Sequence, residues 1–136
     1  MKIKKLKINY LEELSGVLED NDLEKKDICI VGSAVMALHN LRDNDDIDIV
    51  VKKTIRNERF PPGATKLSQN IELVAANWVF YDENITDDNI IDNEQHHTTY
   101  DGYKFVNLSL LEVRKKSANK QKDLKDTLII EAYNAG

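Results

Sequence analysis

Residues 28–51, ICIVGSAVMALHNLRDNDDIDIVV, leave a chain few ways to fold. Ile28–Val31 is a short, continuous apolar run with β-branched residues, the pattern of a buried strand. It ends in Gly32-Ser33. Ser33 is expected to cap a helix running to about Leu41, with Val35, Met36, Leu38 and Leu41 inward. Residues 40–45 are polar and read as a turn. Ile47, Ile49, Val50 and Val51 then make a second strand.

Asp46 and Asp48 stand at alternate positions on that strand, so both point to one face, roughly 6.5–7 Å apart at Cα. Ile47 and Ile49 point the other way. Two carboxylates this close repel unless a cation lies between them. Mg²⁺ suits hard oxygen ligands and keeps positions for water and substrate phosphates. A pair of such ions roughly 3.5–4 Å apart can clamp the attacking and leaving oxygens of a phosphoryl-type transfer. Glu72, between Ile71 and Leu73, is the best third carboxylate, because a charged residue there must face solvent or a site. Asp43 and Asp45 fall on the turn. A half-exposed edge strand with a polar outer face would also explain Asp46 and Asp48, though aspartate is poorly suited to strands. The preceding Gly-Ser favours a site. Gly32 lets backbone approach closely, and Ser33 opens a helix whose N–H groups and dipole favour phosphate.

The rest of the chain reads as support. Residues 9–19 have helical apolar spacing, with Asn9 as N-cap and Glu12 completing a capping box. Residues 54–69 contain Pro61-Pro62-Gly63 and read as a loop without regular sheet. Residues 70–75 are a third strand. Residues 78–81 are a strand or a short buried segment, and residues 82–95 are irregular with about one helical turn. Residues 98–106 form a hairpin around Asp101-Gly102, a dipeptide suited to a type I′ turn. Leu108–Ala118 and Gln121–Ala135 are helical by period, the second with an apolar face of Leu124, Leu128, Ile129 and Ala132. Adjacent His96 and His97 would point to opposite faces of a strand, so they read as hairpin residues and not as one metal site. Trp78 and Tyr81 read as core packing, with base stacking as the alternative. The simplest account is one α+β domain over residues 1–136, a small mixed sheet flanked by helices.

The net charge of −5 over 136 residues argues against a broad nucleic-acid footprint. Lys2, Lys4, Lys5 and Lys7, and the basic stretch of residues 114–125, read as solvated faces. The single cysteine, Cys29, sits within the apolar run and fits a reducing, cytoplasmic setting. No segment approaches the roughly 20 apolar residues of a membrane span.

Val31-Gly32-Ser33, a spacer of twelve residues and Asp46-Ile47-Asp48 resemble the signature of the DNA polymerase beta-like nucleotidyltransferase superfamily. Leu111-Glu112-Val113-Arg114-Lys115, Ala118, Lys120, Lys122-Asp123 and Asp126 resemble a helical segment of its small antibiotic-modifying and abortive-infection toxin-type branch. The resemblance implies a nucleotidyltransferase-like fold and transfer of an NMP group from an NTP, ATP among them, to a hydroxyl. It assigns Gly32, Ser33 and Lys115 to the triphosphate, with Lys122 and Asp123 alongside, and Asp123 as a candidate base or orienting group. It assigns Asp46, Asp48 and Glu72 to two Mg²⁺ ions. Lys120 stands where an arginine is more usual, which loses bidentate phosphate geometry. The resemblance leaves the acceptor open among a small molecule, a tRNA end and a protein side chain. Small members of the class often pair, so a homodimer is a further expectation. The alternative reading is a non-catalytic nucleotide- or protein-binding relative, such as an antitoxin-like or regulatory subunit. An Asp-x-Asp glycosyltransferase ranks third, because such enzymes need a longer nucleotide-binding half before the motif.

Overall fold

The structure, a computed structural model, describes residues 8–80, 82, 84–118 and 121–135, with the side chains of residues 118 and 121–123 outside the description. It is an α+β fold, and among the described residues six strands form one mixed sheet in the order β3-β4-β2-β1-β6-β5. The strands are β1 (Ile28–Val31), β2 (Ile47–Val51), β3 (Thr65–Ser68), β4 (Ile71–Leu73), β5 (His97–Tyr100) and β6 (Tyr103–Val106). The α-helices are α1 (Leu11–Asp20), α2 (Ser33–Leu38), α3 (Lys53–Arg59), α4 (Asp87–Asp92), α5 (Leu108–Ala118) and α6 (Gln121–Ala135).

β1 occupies the centre because all four of its side chains are apolar and fully buried. It runs antiparallel to β2 and parallel to β6. β2 in turn runs parallel to β4. Helices cover both faces of the sheet. Tyr103 pairs with Ser15 of α1, so α1 lies over the face that carries Tyr103, Phe105 and Ile30. Lys104 points to the opposite face and donates to the Ile91 carbonyl of α4 at 2.7 Å, which puts α4 there. The hairpin forms as expected: Asp101 and Gly102 both have positive φ, 53° and 79°, as a type I′ turn requires. Among the described residues no helix is long and apolar enough to cross a membrane.

Several local expectations need correction. Asn9 does not cap α1. Tyr10 takes the N-cap position at φ 71° without a side-chain bond, and Asn9 is committed to Asn44. Gly32, not Ser33, is the N-cap of α2. The helix ends at Leu38 because Asn40 adopts φ 61°. Asn40 N–H then bonds the Ala37 carbonyl and Leu41 N–H the Met36 carbonyl, a Schellman closure.

The stretch 54–69 is not simply a loop. α3 precedes the two prolines, and β3 follows them as an edge strand on β4. The prolines interrupt only the connection between the two. Buried Arg56 binds the Pro61, Gly63 and Val74 carbonyls across that connection. The third strand is Ile71–Leu73, shorter than 70–75. Trp78 and Val79 are buried but form no strand. Residues 82–95 hold α4, closed by a capping box of Thr86 and Asn89. His97 is half-buried, with Nδ1 2.7 Å from the Ile90 carbonyl. Lys2, Lys4, Lys5, Lys7, Tyr81 and Lys120 lie outside the described residues.

α6 is rotated away from its expected apolar stripe, of which only Ile129 still packs, half-buried, against the core. Ile130, Thr127 and Asp126 are buried, while Leu124 and Leu128 are 46% and 66% exposed. The Asp126 ion pairs described below set this rotation. Ile130→Ala should therefore cost about 3 kcal/mol, and Leu128→Ser less than about 0.5 kcal/mol. Urea unfolding of the two variants checks this, and the reverse ranking would reject the assigned face.

Candidate nucleotide site

Register brings two of the three expected carboxylates together. Asp48 on β2 pairs directly with Glu72 on β4, in phase with Ile47–Ile71 and Ile49–Leu73 on the buried face. Paired residues on neighbouring strands share a face and lie roughly 5 Å apart. Asp48 and Glu72 are thus side by side, both half-buried. Asp46 immediately precedes β2 and by alternation shares their face. Its backbone is held by Asn70, whose carbonyl accepts from Ile47 N–H at 2.8 Å, and by Asn44, whose amide donates to the Asp46 carbonyl at 3.0 Å.

Gly32 closes over Asp48 from the end of β1. A Cβ placed on Gly32 would stand 2.8 Å from Asp48 Oδ2, and Gly32 has φ 76°. Any side chain here would both strain the backbone and cover the carboxylate. Ser33 begins α2, is 7% exposed, and its Oγ lies 3.4 Å from the Asp45 N–H. The Gly-Ser turn and the two aspartates are therefore contiguous in space.

Two polar locks hold the connection that presents Asp46. Asn44, 3% exposed, accepts from Asn9 N–H at 2.8 Å and donates to the Asn9 carbonyl at 2.9 Å. Arg42 grips Asp126 of α6 with Nε at 2.8 Å and a second guanidinium nitrogen at 2.9 Å. It also gives a 2.9 Å bond to the Asp43 carbonyl and approaches Asp45 at 3.6 Å. Lys115 of α5 reaches the same Asp126 carboxylate at 2.9 Å and is 7% exposed. Burial works against the Asp126 charge, but the bonds from Arg42 and Lys115 outweigh it and hold its carboxyl below the usual range. Lys115 thus joins the aspartate-bearing connection through Asp126 and Arg42.

Lys122 and Asp123 lie on α6, with side chains outside the described residues. Three residues escaped the sequence reading. Arg42 and Asn44 looked like ordinary turn residues, and nothing local marks their partners 84 and 35 positions away. Lys66 of β3 is the register partner of Glu72, which places a cation at the carboxylate edge. It was hidden because its segment reads as loop.

The donor set matches Mg²⁺ in kind: carboxylate oxygens, with neither thiolate nor imidazole among them. Among the described residues, no three His, Cys, Asp or Glu side chains converge as a preformed metal cage. Mg²⁺ commonly relies on one or two carboxylates, waters and substrate phosphates instead of such a cage. A scan against protein-family models and searches of curated proteins and solved structures found no match to the chain.

Gly32→Ala should lower stability by about 1–3 kcal/mol through its positive φ and displace the Asp48 carboxylate. Denaturant unfolding, with Asp48 carboxyl shifts followed by NMR, checks both effects; an unshifted Asp48 resonance would reject the close approach. Asp126→Asn should cost about 2–3 kcal/mol at neutral pH. A depressed folded-state pKa stabilises fully above the unfolded value of about 3.9 and is lost as pH falls through the lower folded value. The gap between wild type and Asp126→Asn should therefore close below about pH 4. Urea midpoints measured against pH test this, and parallel profiles would contradict it.

Proposed function

We propose that this chain is a Mg²⁺-dependent nucleotidyltransferase that moves an NMP group from an NTP to a hydroxyl acceptor. The observation that carries the reading is the registered Asp48–Glu72 pair under a glycine turn with no room for a side chain. That is a rigid acidic shelf with a backbone-lined entrance beside a helix start. Such an entrance admits phosphate close to main-chain N–H groups.

Asp46, Asp48 and Glu72 would hold the divalent ions. When bound, those ions neutralise the phosphate charge and lower the pKa of the attacking hydroxyl. The chain's own part is chiefly positioning, as expected of phosphoryl-type chemistry. Gly32 and Ser33 seat the phosphates against the end of β1. Asp48 and Glu72 fix the α-phosphorus relative to the acceptor. The acceptor oxygen forms the new bond to that phosphorus as the bond to pyrophosphate breaks in line. Glu72 would either complete the ion site or, in place of that, take the acceptor proton. Lys115 serves the triphosphate from a position shared with Asp126, so polyphosphate and Asp126 compete for one ammonium.

The acceptor falls within three classes: a small hydroxylated molecule, a tRNA end or a protein side chain. The overall charge of −5 favours a cationic small molecule or a protein over bulk nucleic acid. A homodimer and a cytoplasmic setting belong to the same reading, as does a toxin-antitoxin role. A non-catalytic nucleotide- or protein-binding relative is the second reading, favoured by the engagement of Lys115 with Asp126.

The test is incubation of the protein with Mg²⁺ and each α-labelled NTP in a cell extract. Label should appear on an acceptor with wild type and fall at least about 1,000-fold with Asp48→Asn, as for loss of a group that stabilises the transition state. Absence of label transfer would reject the first reading; nucleotide binding without transfer would point to a nucleotide-binding relative, and neither binding nor transfer to a protein-binding one.

A further inference from the structure

The two edges of the sheet differ. β3 carries exposed Lys66 and a register shift between Lys66 and Ser68, features that discourage a further strand from pairing. β5 has no proline, bulge or charged side chain, and its Thr98, Thr99 and Tyr100 are exposed. An unguarded edge is a template for another strand.

The phase of the hairpin determines which groups that edge offers. The Asp101-Gly102 turn makes Tyr100 and Tyr103 a hydrogen-bonded pair. Thr98 and Phe105 are the next such pair, and Asn107 N–H donates to the His96 carbonyl at 2.9 Å in the same phase. The N–H and C=O groups of His97 and Thr99 therefore point away from β6. Among the described residues nothing bonds those four groups. At the turn, exposed Lys25 donates from Nζ to the Asp101 carbonyl at 3.1 Å. At the other end, exposed Glu94 has no ion-pair partner among the described residues.

We infer that β5 is an interface with a second copy of this chain, paired antiparallel about Thr98, independently of the proposed nucleotidyl transfer. Bonds form only where outward groups meet outward groups, so odd-numbered residues must face odd-numbered ones. Centring on Thr98 sets His97 of each copy against Thr99 of the other and uses every outward group on the strand. Centring on Thr99 would set His97 against Asp101, whose carbonyl is already bonded to Lys25. The strand itself is uncharged, so no like charges are opposed along it. The antiparallel sense carries Glu94 of each copy toward Lys25 of the other. With Asp101 on the same turn, that end is near neutral, so this ion pair adds orientation more than affinity. A contact built on a strand of 4 residues makes a weak, transient dimer.

Register-specific cross-linking of the full chain tests this. In the Thr98-centred pair the two Thr98 residues form a non-hydrogen-bonded pair with Cα atoms about 4.5 Å apart, whereas the two Thr99 Cα atoms are roughly 8–9 Å apart. Disulfides span about 4.4–6.8 Å. In a glutathione redox buffer, Thr98→Cys should form a disulfide-linked dimer at least about tenfold faster than Thr99→Cys, which is also an exposed site. Cys29 is fully buried and takes no part. Without these cysteines, sedimentation between about 10 µM and 1 mM should show a dimer that grows with concentration. Thr99→Pro should weaken it at least about tenfold, and because the Thr99 N–H points outward the hairpin keeps its own bonds. Thr98→Lys, a second variant at an exposed position, opposes two ammonium groups and should do the same with a native amide spectrum. Equal cross-linking at the two positions, a monomeric mass throughout, or undiminished association in folded Thr98→Lys would overturn the proposal. So would a monomer whose Thr99 amide resists hydrogen exchange, since another segment of the chain would then hold the edge.

Discussion

Complete burial of β1 organises the molecule. Ile28, Cys29, Ile30 and Val31 are all at 0% exposure, so the strand must be covered on both faces and paired on both edges. β2 and β6 satisfy its backbone groups, as buried N–H and C=O groups demand. Burial also pushes the thiol of Cys29 above its ordinary value, which leaves it a packing residue and not a nucleophile. Polar chemistry can begin only where β1 ends, at Gly32. The antiparallel return of β2 places Asp48 opposite Val31 at that same point. The acidic shelf is a geometric consequence of strand pairing in a dry core.

A shelf of like charges needs rigid support, and much of it comes from distant polar contacts. Asn9 and Asn44 exchange hydrogen bonds between the start of α1 and the connection before β2. Asp126 gathers Arg42 and Lys115, tying α6 and α5 to that same connection. Breaking a buried ionic cluster by removing one member is costly, because the remaining charges stay buried. The cluster therefore explains why the C-terminal helices dock as they do. It also leaves Leu124 and Leu128 outside, against the pull of their hydrophobicity.

The strands around the site were legible because their patterns are local. Alternating Asp46-Ile47-Asp48, the continuous run Ile28–Val31 and Asp101-Gly102 each determine a conformation within a few residues. Glu72 was legible for the same reason, with an apolar neighbour on each side. Helix ends and faces were less so. Asn9 has the chemistry of an N-cap but is outcompeted by Asn44, a partner set by tertiary structure. α6 has an apolar stripe by period, but the Asp126 contacts decide its rotation. Pro61-Pro62 correctly marked a break, but β3 forms beyond it because the edge of β4 is available for pairing. Arg42, Asn44 and Lys66 were illegible because each acquires its meaning from a partner far along the chain.

The Asp48–Glu72 shelf under Gly32 is the proposed divalent-cation and nucleotide site. Paramagnetic broadening by substoichiometric Mn²⁺, with and without NTP, tests it most directly in the ¹⁵N-labelled chain. Selective loss of the Gly32, Ser33, residue 46–48 and Glu72 amide signals, strengthened by NTP and reversed by excess Mg²⁺, is the predicted result. Broadening that spares these residues, or settles instead on the exposed acids of α1 and α4, would contradict the account.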